Sequence, residues 1–222
     1  MPLPNYWTQR IETILDDSYR NLERMSTRAP GRPRSEHARQ AVLDAAATLV
    51  GRQGYAATTM EGIAKQAGVS KQTVYRWWPS PAAILLEVLN GGAAAIAPLE
   101  ESGDFERDLR VFVHRSVLGA RGKVGRLLTA LMAQAQHDPV FAEPFRAEFL
   151  AARRAVLHTL LDHARSRGDL KPGTTDHDLG FVAELFFGTL WYRLLAASGP
   201  VNTRFADDLA DTLLTLVGRG GS

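Results

Sequence analysis

Residues 57–80 read ATTMEGIAKQAGVSKQTVYRWWPS, and their reading decides the fold. Thr58 and Glu61 stand in the T-x-x-E arrangement of a capping box, so a helix is predicted to begin near Thr59. Gly68 ends it, because glycine enters the left-handed turn conformation without steric cost. Ser70 then offers an N-cap oxygen to a second short helix running to about Trp78, and Pro79 stops that helix by removing a backbone donor. Two short helices joined across Ala67-Gly68-Val69 make a helix-turn-helix. Small Ala64 permits a close crossing, and Ile63, Val69 and Val74 form the shared core.

The second helix carries two adjacent tryptophans together with basic and polar side chains, so it needs a buried face and a working face. At about 100° per residue, Val74 and Trp78 fall on one side while Gln72 and Arg76 point to the other. Lys71 and Tyr75 lie on one flank, Thr73 and Trp77 on the opposite one. Trp78 is therefore expected in the core, with Trp77 at its edge, where an indole N–H can reach a phosphate. Gln72, Thr73 and Arg76 are placed to reach base edges in a major groove, and Lys71 and Tyr75 to meet backbone phosphates.

Working outward, residues 36–53 place Val42, Ala45, Ala46, Leu49 and Val50 at helical spacing before the stop at Gly54. On the other side, Ser80 and Pro81 read as N-cap and N1 of a fourth helix through Ile84, Leu85, Val88 and Leu89, interrupted by Gly91-Gly92. That pair reads as a packing requirement or as a flexible point, the packing reading being preferred. Further helices are expected near 104–119, 123–136, 139–166, 175–198 and 203–217, with no strand pattern of useful length. The expected architecture is all-α, with an N-terminal extension over 1–29, a helix-turn-helix head over 30–80 and a larger helical body over 81–218.

The chain of 222 residues carries a net charge of only +2, but unevenly. Residues 28–80 hold eight basic groups against three acidic ones, whereas residues 81–222 hold fifteen against seventeen. A basic block on a helix-turn-helix is the electrostatic footprint of a nucleic-acid partner. Cysteine is absent, which removes disulfides, thiolate metal sites and cysteine nucleophiles and fits a reducing cytoplasm. No secretory leader is read at the N-terminus, and the most apolar stretch, FVAELFFGTLWYRLLAA, contains Glu184 and Arg193 and is expected to be a buried helix, not a membrane span. The histidines form no H-E-x-x-H pair, and neither a nucleophile elbow nor a phosphate-binding glycine loop occurs, so no enzyme, metal site or cofactor is expected.

The stretch from Gly31 to Leu85 resembles the DNA-binding domain of the TetR family of bacterial transcriptional regulators, including Gly54-Tyr55, Thr58-Thr59, Ile63-Ala64, Ala67-Gly68-Val69-Ser70, Thr73-Val74-Tyr75 and Trp78. The stretch from Arg167 to Val201 is similar to one class of that family's C-terminal domain, particularly Tyr192-Arg193-Leu194-Leu195. One departure is Pro81, where the family commonly has a lysine; the departure implies the loss of a phosphate contact there. Upstream, Arg32 and Arg34 in APGRPR resemble a basic arm for an A·T-rich minor groove, or else form a basic tail that attracts DNA without sequence preference. Residues 1–25 have no family counterpart. They are either an accessory helix striped by Ile11, Leu15, Leu22 and Met25, or sequence ahead of a translation start at Met25.

The resemblance implies a ligand pocket in the body, a homodimer built on the last two helices, and release of a palindromic DNA operator when ligand shifts the helix joining pocket to head. The DNA contacts expected from it and from the helical reading are Arg32, Arg34, Thr58, Thr59, Ser70, Lys71, Gln72, Thr73, Tyr75, Arg76 and Trp77. Phe181, Leu185, Phe186, Gly188, Thr189 and Tyr192 make one helix apolar around most of its circumference, which suits a self-complementary interface through Phe181, Leu185, Gly188, Thr189 and Tyr192, or a monomer's core. Phe112, Leu128, Met132, Phe141, Phe145, Phe149 and Trp191 are candidates for an aromatic pocket, with Gln134 or Gln136 as a polar contact, although the same spacing also describes plain core. The function expected is a ligand-responsive transcriptional regulator acting as a repressor. A DNA-architectural protein without ligand is the alternative, with a helical enzyme behind it.

Overall fold

The computed structural model describes residues 33–96 and 102–219, with side chains over 36–91 and 102–219. Every regular element among them is helical: α1 (Pro33–Gln53), α2 (Met60–Ala67), α3 (Lys71–Trp77), α4 (Pro81–Ile96), α5 (Phe105–Gly119), α6 (Gly122–His137), α7 (Pro139–Pro144), a π-helical turn over Phe145–Leu150, α8 (Ala151–Arg167), α9 (Asp176–Leu195) and α10 (Thr203–Val217). The chain sorts into two compact units, neither of them continuous: residues up to 95 group with 126–145, and residues 96–125 group with 146 onward. The N-terminal extension lies outside the described residues.

In the first unit, α1 packs on α2 and α2 on α3. Val42, Ala46, Ile63, Val74, Ile84 and Leu85 are completely buried at their common centre. The start of α2 differs from the capping-box reading by one residue. Thr59, not Thr58, is the N-cap and accepts from the Gly62 amide at 3.1 Å. Thr58 turns inward and donates its hydroxyl to the Gly54 carbonyl at 2.8 Å, which closes the loop after α1. Gly68 ends α2 with φ +69°, and Ser70 caps α3 by accepting from the Thr73 amide at 3.1 Å. Ser80 starts α4, accepting from the Ala83 amide at 3.3 Å.

The second unit is built around α5 and α10, which pack along each other, with α8 against α5 and α9, and α9 against α10. Its core includes Leu109, Val113, Leu157, Leu161, Phe186 and Leu213. Each cap has a local cause. Asp104 accepts from the Arg107 amide, Asn202 from the Phe205 amide, and Thr175 with Asp178 forms a reciprocal capping box at the start of α9. The hydrogen bonds from Thr175 hold the Asp178 carboxyl below the usual carboxylate range. Buried Asp108 is satisfied by the Ser102 amide and hydroxyl. Where α8 ends, the Lys171 amide bonds to the Val217 carbonyl and the Arg219 amide to the Asp169 carbonyl, tying that turn to the end of α10.

Two long helices expected from periodicity are shorter than predicted. The single helix over 139–166 is divided, because Pro144 has no amide hydrogen and its ring crowds the preceding turn; the chain widens into the π turn before α8 resumes. The helix expected to reach residue 198 stops at Leu195, where Ala197 takes φ +47° and the Arg193 guanidinium reaches forward to the Pro200 carbonyl at 3.1 Å. The packing reading of Gly91 also fails: a Cβ there meets nothing within 4 Å, and its backbone is helical. Gly92 has no described side-chain environment.

Gly68 and Gly91 therefore predict opposite responses to the same change. Gly68→Ala meets no atom within 4 Å but is forced into the left-handed region, so it should destabilise the fold by about 1–2 kcal/mol. Gly91→Ala, in an open helical position, should stabilise it by about 0.5–1 kcal/mol. Denaturant unfolding of the two variants beside the parent chain checks both signs.

Candidate nucleic-acid interface

The helix α3 has only seven residues, and its two faces divide as its periodicity dictates. Val74 is fully buried and Trp78, the C-cap residue, retains 4% of its surface. Lys71, Gln72, Tyr75 and Arg76 are exposed on the other side, forming one surface of two cations, an amide and a phenol. Thr73 is half-buried, and its hydroxyl lies 2.9 Å from that of Ser70. Arg52 and Lys65 are also exposed in the head. A short exposed helix of this composition fits the width of a B-DNA major groove. There an arginine can address guanine O6 and N7, and a glutamine adenine N6 and N7.

Two contacts organise this surface, and neither was legible from helical spacing. The first joins α2 to α3: Lys71 Nζ lies 2.5 Å from Glu61 Oε1, with both side chains more than half exposed. The ammonium's hydrogen bond holds the Glu61 carboxyl below its ordinary range, and Glu61 raises Lys71 in return. Glu61 is therefore not the partner of Thr58 in a capping box; it pairs with the lysine expected to meet phosphate. The second contact lies behind the helix. The Trp78 Nε1–H donates to Glu87 Oε2 of α4 at 2.9 Å, and the other oxygen of that carboxylate, itself buried, forms an ion pair with Arg39 of α1. Glu87 is the only acid in the apolar run AAILLEVL, the one sequence signal that could have singled it out.

Trp77, half-buried, meets Trp78 edge to face with ring centroids 5.4 Å apart and planes at 88°. The Arg76 guanidinium lies over the Trp77 ring at 5.1 Å. The structure thus brings Ser70, Lys71, Gln72, Thr73, Tyr75, Arg76 and Trp77 together, with exposed Thr59 at the head of α2. Thr58 does not join them, since it retains 6% of its surface and its hydroxyl is committed to the loop. Arg32 lies outside the described residues. Arg34 falls on the first turn of α1 by backbone, with its side chain outside the description.

The candidate pocket residues divide between the two units. Leu128, Met132, Phe141 and Phe145 belong to the first, where Phe141 and Phe145 stack at 5.7 Å; Phe112, Phe149 and Trp191 belong to the second. In the second unit Phe112 packs on Phe186, and Trp191 on Phe187, as core contacts. Gln134 donates to Asp138 at 3.3 Å, and Gln136 is exposed. Along α9, by contrast, Phe181, Tyr192 and Leu195 expose 51%, 66% and 49% of their surface, with exposed Gly188 and Thr189 and half-buried Leu185 between them. Among the described residues no group of acidic or histidine side chains could hold a metal ion, and no helix is long and apolar enough to cross a membrane.

Comparison with known proteins matches two successive regions of the chain. A model of the bacterial regulatory proteins of the tetR family matches residues 42–88, and a tetracyclin repressor-like C-terminal domain matches residues 99–213. The HTH-type transcriptional regulator YdeS of Bacillus subtilis (strain 168) is 30% identical over 179 residues, spanning 81% of this chain and 89% of the relative. The DNA-binding transcriptional repressor TetR of Mycobacteroides abscessus is 24% identical over 190 residues, spanning 85% of this chain and 98% of its own. Among solved structures, the TetR family transcription regulator SCO0332 superposes with a TM-score of 0.65 at 32% identity, covering 82% of this chain and 99% of that one. With both matched regions in sequence and a solved relative matched over 99% of its own length, this chain belongs to the TetR family of bacterial transcriptional regulators.

Proposed function

We propose that the chain is a homodimeric repressor that reads a palindromic operator through α3 and leaves it when a small apolar or aromatic effector binds the helical body. The observation that carries this reading is the exposed face of α3, where Gln72 and Arg76 project beside Lys71 and Tyr75 from a helix held by buried Val74 and Trp78. Gln72 and Arg76 are assigned to base edges, Lys71, Tyr75 and Thr59 to phosphates, and the Trp77 edge to the groove wall. The basic arm around Arg32 and Arg34 is assigned to the minor groove. Binding at a promoter excludes polymerase, and such a regulator works in the cytoplasm, where the bacterial chromosome lies.

Dimerisation is supported by α9. Phe181, Leu185, Gly188, Tyr192 and Leu195 recur at steps of four, three, four and three residues, so they form one stripe along the helix. The opposite face of the same helix holds buried Val182, Phe186 and Leu190 in the core. An apolar stripe left outside a well-formed core is the signature of an association surface, and two-fold symmetry lets one stripe serve as its own partner. Two copies of α3 then present themselves to successive major grooves, about 34–36 Å apart. The effector is assigned to the helical body on the strength of its match to a tetracyclin repressor-like C-terminal domain.

The decisive experiment is selection of genomic fragments by the purified chain at about 150 mM salt, where sequence-independent phosphate binding is weakened. An enriched palindrome supports the operator reading; binding at low salt without any enriched sequence refutes it and points to an architectural role. On the selected site, Arg76→Ala or Gln72→Ala should cost about 1–3 kcal/mol against the matched sequence and relax preference at one position of each half-site. Glu61→Gln should do something different: by releasing Lys71 it should tighten binding to all sequences and steepen the salt dependence by about one. For the dimer, light scattering of Gly188→Glu and Tyr192→Asp should report monomers at micromolar concentration. Dimers that persist in both variants would move the interface off α9.

A further inference from the structure

We infer that Glu87 of α4 is a positioning residue for DNA reading: its partly buried carboxylate orients Trp78 and, through the indole pair, the Arg76 guanidinium. The inference rests on the assignment of Arg76 to a base edge and adds what holds Arg76 there. The connections form a continuous series from α4 to the exposed face of α3. Glu87 Oε2 accepts from Trp78 Nε1 at 2.9 Å, Trp78 meets Trp77 edge to face at 5.4 Å, and Trp77 underlies the Arg76 guanidinium at 5.1 Å.

Each link constrains the next for a physical reason. A carboxylate accepting from an indole N–H makes a charge-assisted hydrogen bond, stronger than a neutral one, and it sets the rotation of the Trp78 ring. An edge-to-face pair favours a limited range of orientations, so fixing Trp78 biases the plane of Trp77. A guanidinium over an indole face is held there by the ring quadrupole. Arginine has several rotatable bonds and pays for each one frozen on binding, so a side chain already oriented loses less when it meets a base. Glu87 is anchored in turn, since its other oxygen pairs with Arg39, which also bonds Glu36 at 3.2 Å on α1. One carboxylate thereby gathers α1, the end of α3 and α4.

A purely structural glutamate would give a different result from a positioning one, and the ratio of specific to nonspecific affinity separates them. The full chain and its variants are titrated against the selected operator and a shuffled duplex of equal length at about 150 mM salt, with the melting temperature of each variant recorded. Glu87→Ala should lower the specific-to-nonspecific ratio roughly tenfold or more while leaving shuffled-duplex affinity within about twofold, since phosphate contacts do not pass through Arg76. Trp78→Phe, which keeps a ring but lacks the donor, should lower the ratio in the same direction and guards against Glu87→Ala failing to fold. Glu87→Gln, which keeps an acceptor for Trp78, should retain most of the ratio. Combining Glu87→Ala with Arg76→Ala should lower the ratio no further than Arg76→Ala alone. Equal losses on both duplexes that follow the melting temperature, or additive losses in the double variant, would overturn the inference while leaving Arg76 as the reader. An unchanged ratio for Arg76→Ala by itself would instead overturn the reading of Arg76, and the inference with it.

Discussion

Seven residues are too few to hold a helix in water, so α3 owes its conformation to what lies behind it. Val74 and Trp78 supply that support by burial, and Ser70 and Gly68 supply it at the helix's near end by capping and by turning the chain. Removing a buried tryptophan costs about 3–5 kcal/mol, a large share of the roughly 5–15 kcal/mol that separates a domain from its unfolded chain. The adjacent tryptophans thus divide their work. Trp78 belongs to the core, and Trp77 reaches from it to the side chain that touches solvent.

The body uses one helix twice. On α9, Val182, Phe186 and Leu190 fill the core, while Phe181, Tyr192 and Leu195 remain outside. A helix apolar on both faces has a small hydrophobic asymmetry, and in a monomer the outer face would be an aggregation hazard. Both ends of the helix are fixed by local contacts. Thr175 with Asp178 closes the N-terminus, and Arg193 folds over the Phe205 ring at 3.9 Å near the C-terminus.

Much of this was legible because local rules and tertiary packing agree. The turn at Gly68, the cap at Ser70, the stop at Pro79 and the burial of Val74 and Trp78 all follow from residue type and spacing. The failures have particular causes: each depended on a contact that spacing does not specify, or on one residue outweighing a periodic pattern. Glu61 has two plausible local roles, and Lys71, ten positions on, decides between them. Thr58 and Thr59 are adjacent, and only the loop's closure on Gly54 tells which one faces inward. Pro144 sits in a pattern otherwise helical, and the apolar period hid it. The aromatic residues of the body matched the spacing of both a pocket and a core, and spacing alone carries no information about which unit a side chain joins.

The discontinuous units have a consequence for how such a protein can be taken apart. Residues 126–145 group with the N-terminal helices although thirty positions separate them from residue 95, and the chain leaves and re-enters each unit. A cut after residue 95 therefore leaves 1–95 without residues 126–145, and a cut after residue 145 leaves 146–222 without residues 96–125. Exchange of DNA-reading heads between relatives by simple fusion carries that deficit with it. A chimera that keeps the first unit whole must carry both of its segments, residues up to 95 and residues 126–145.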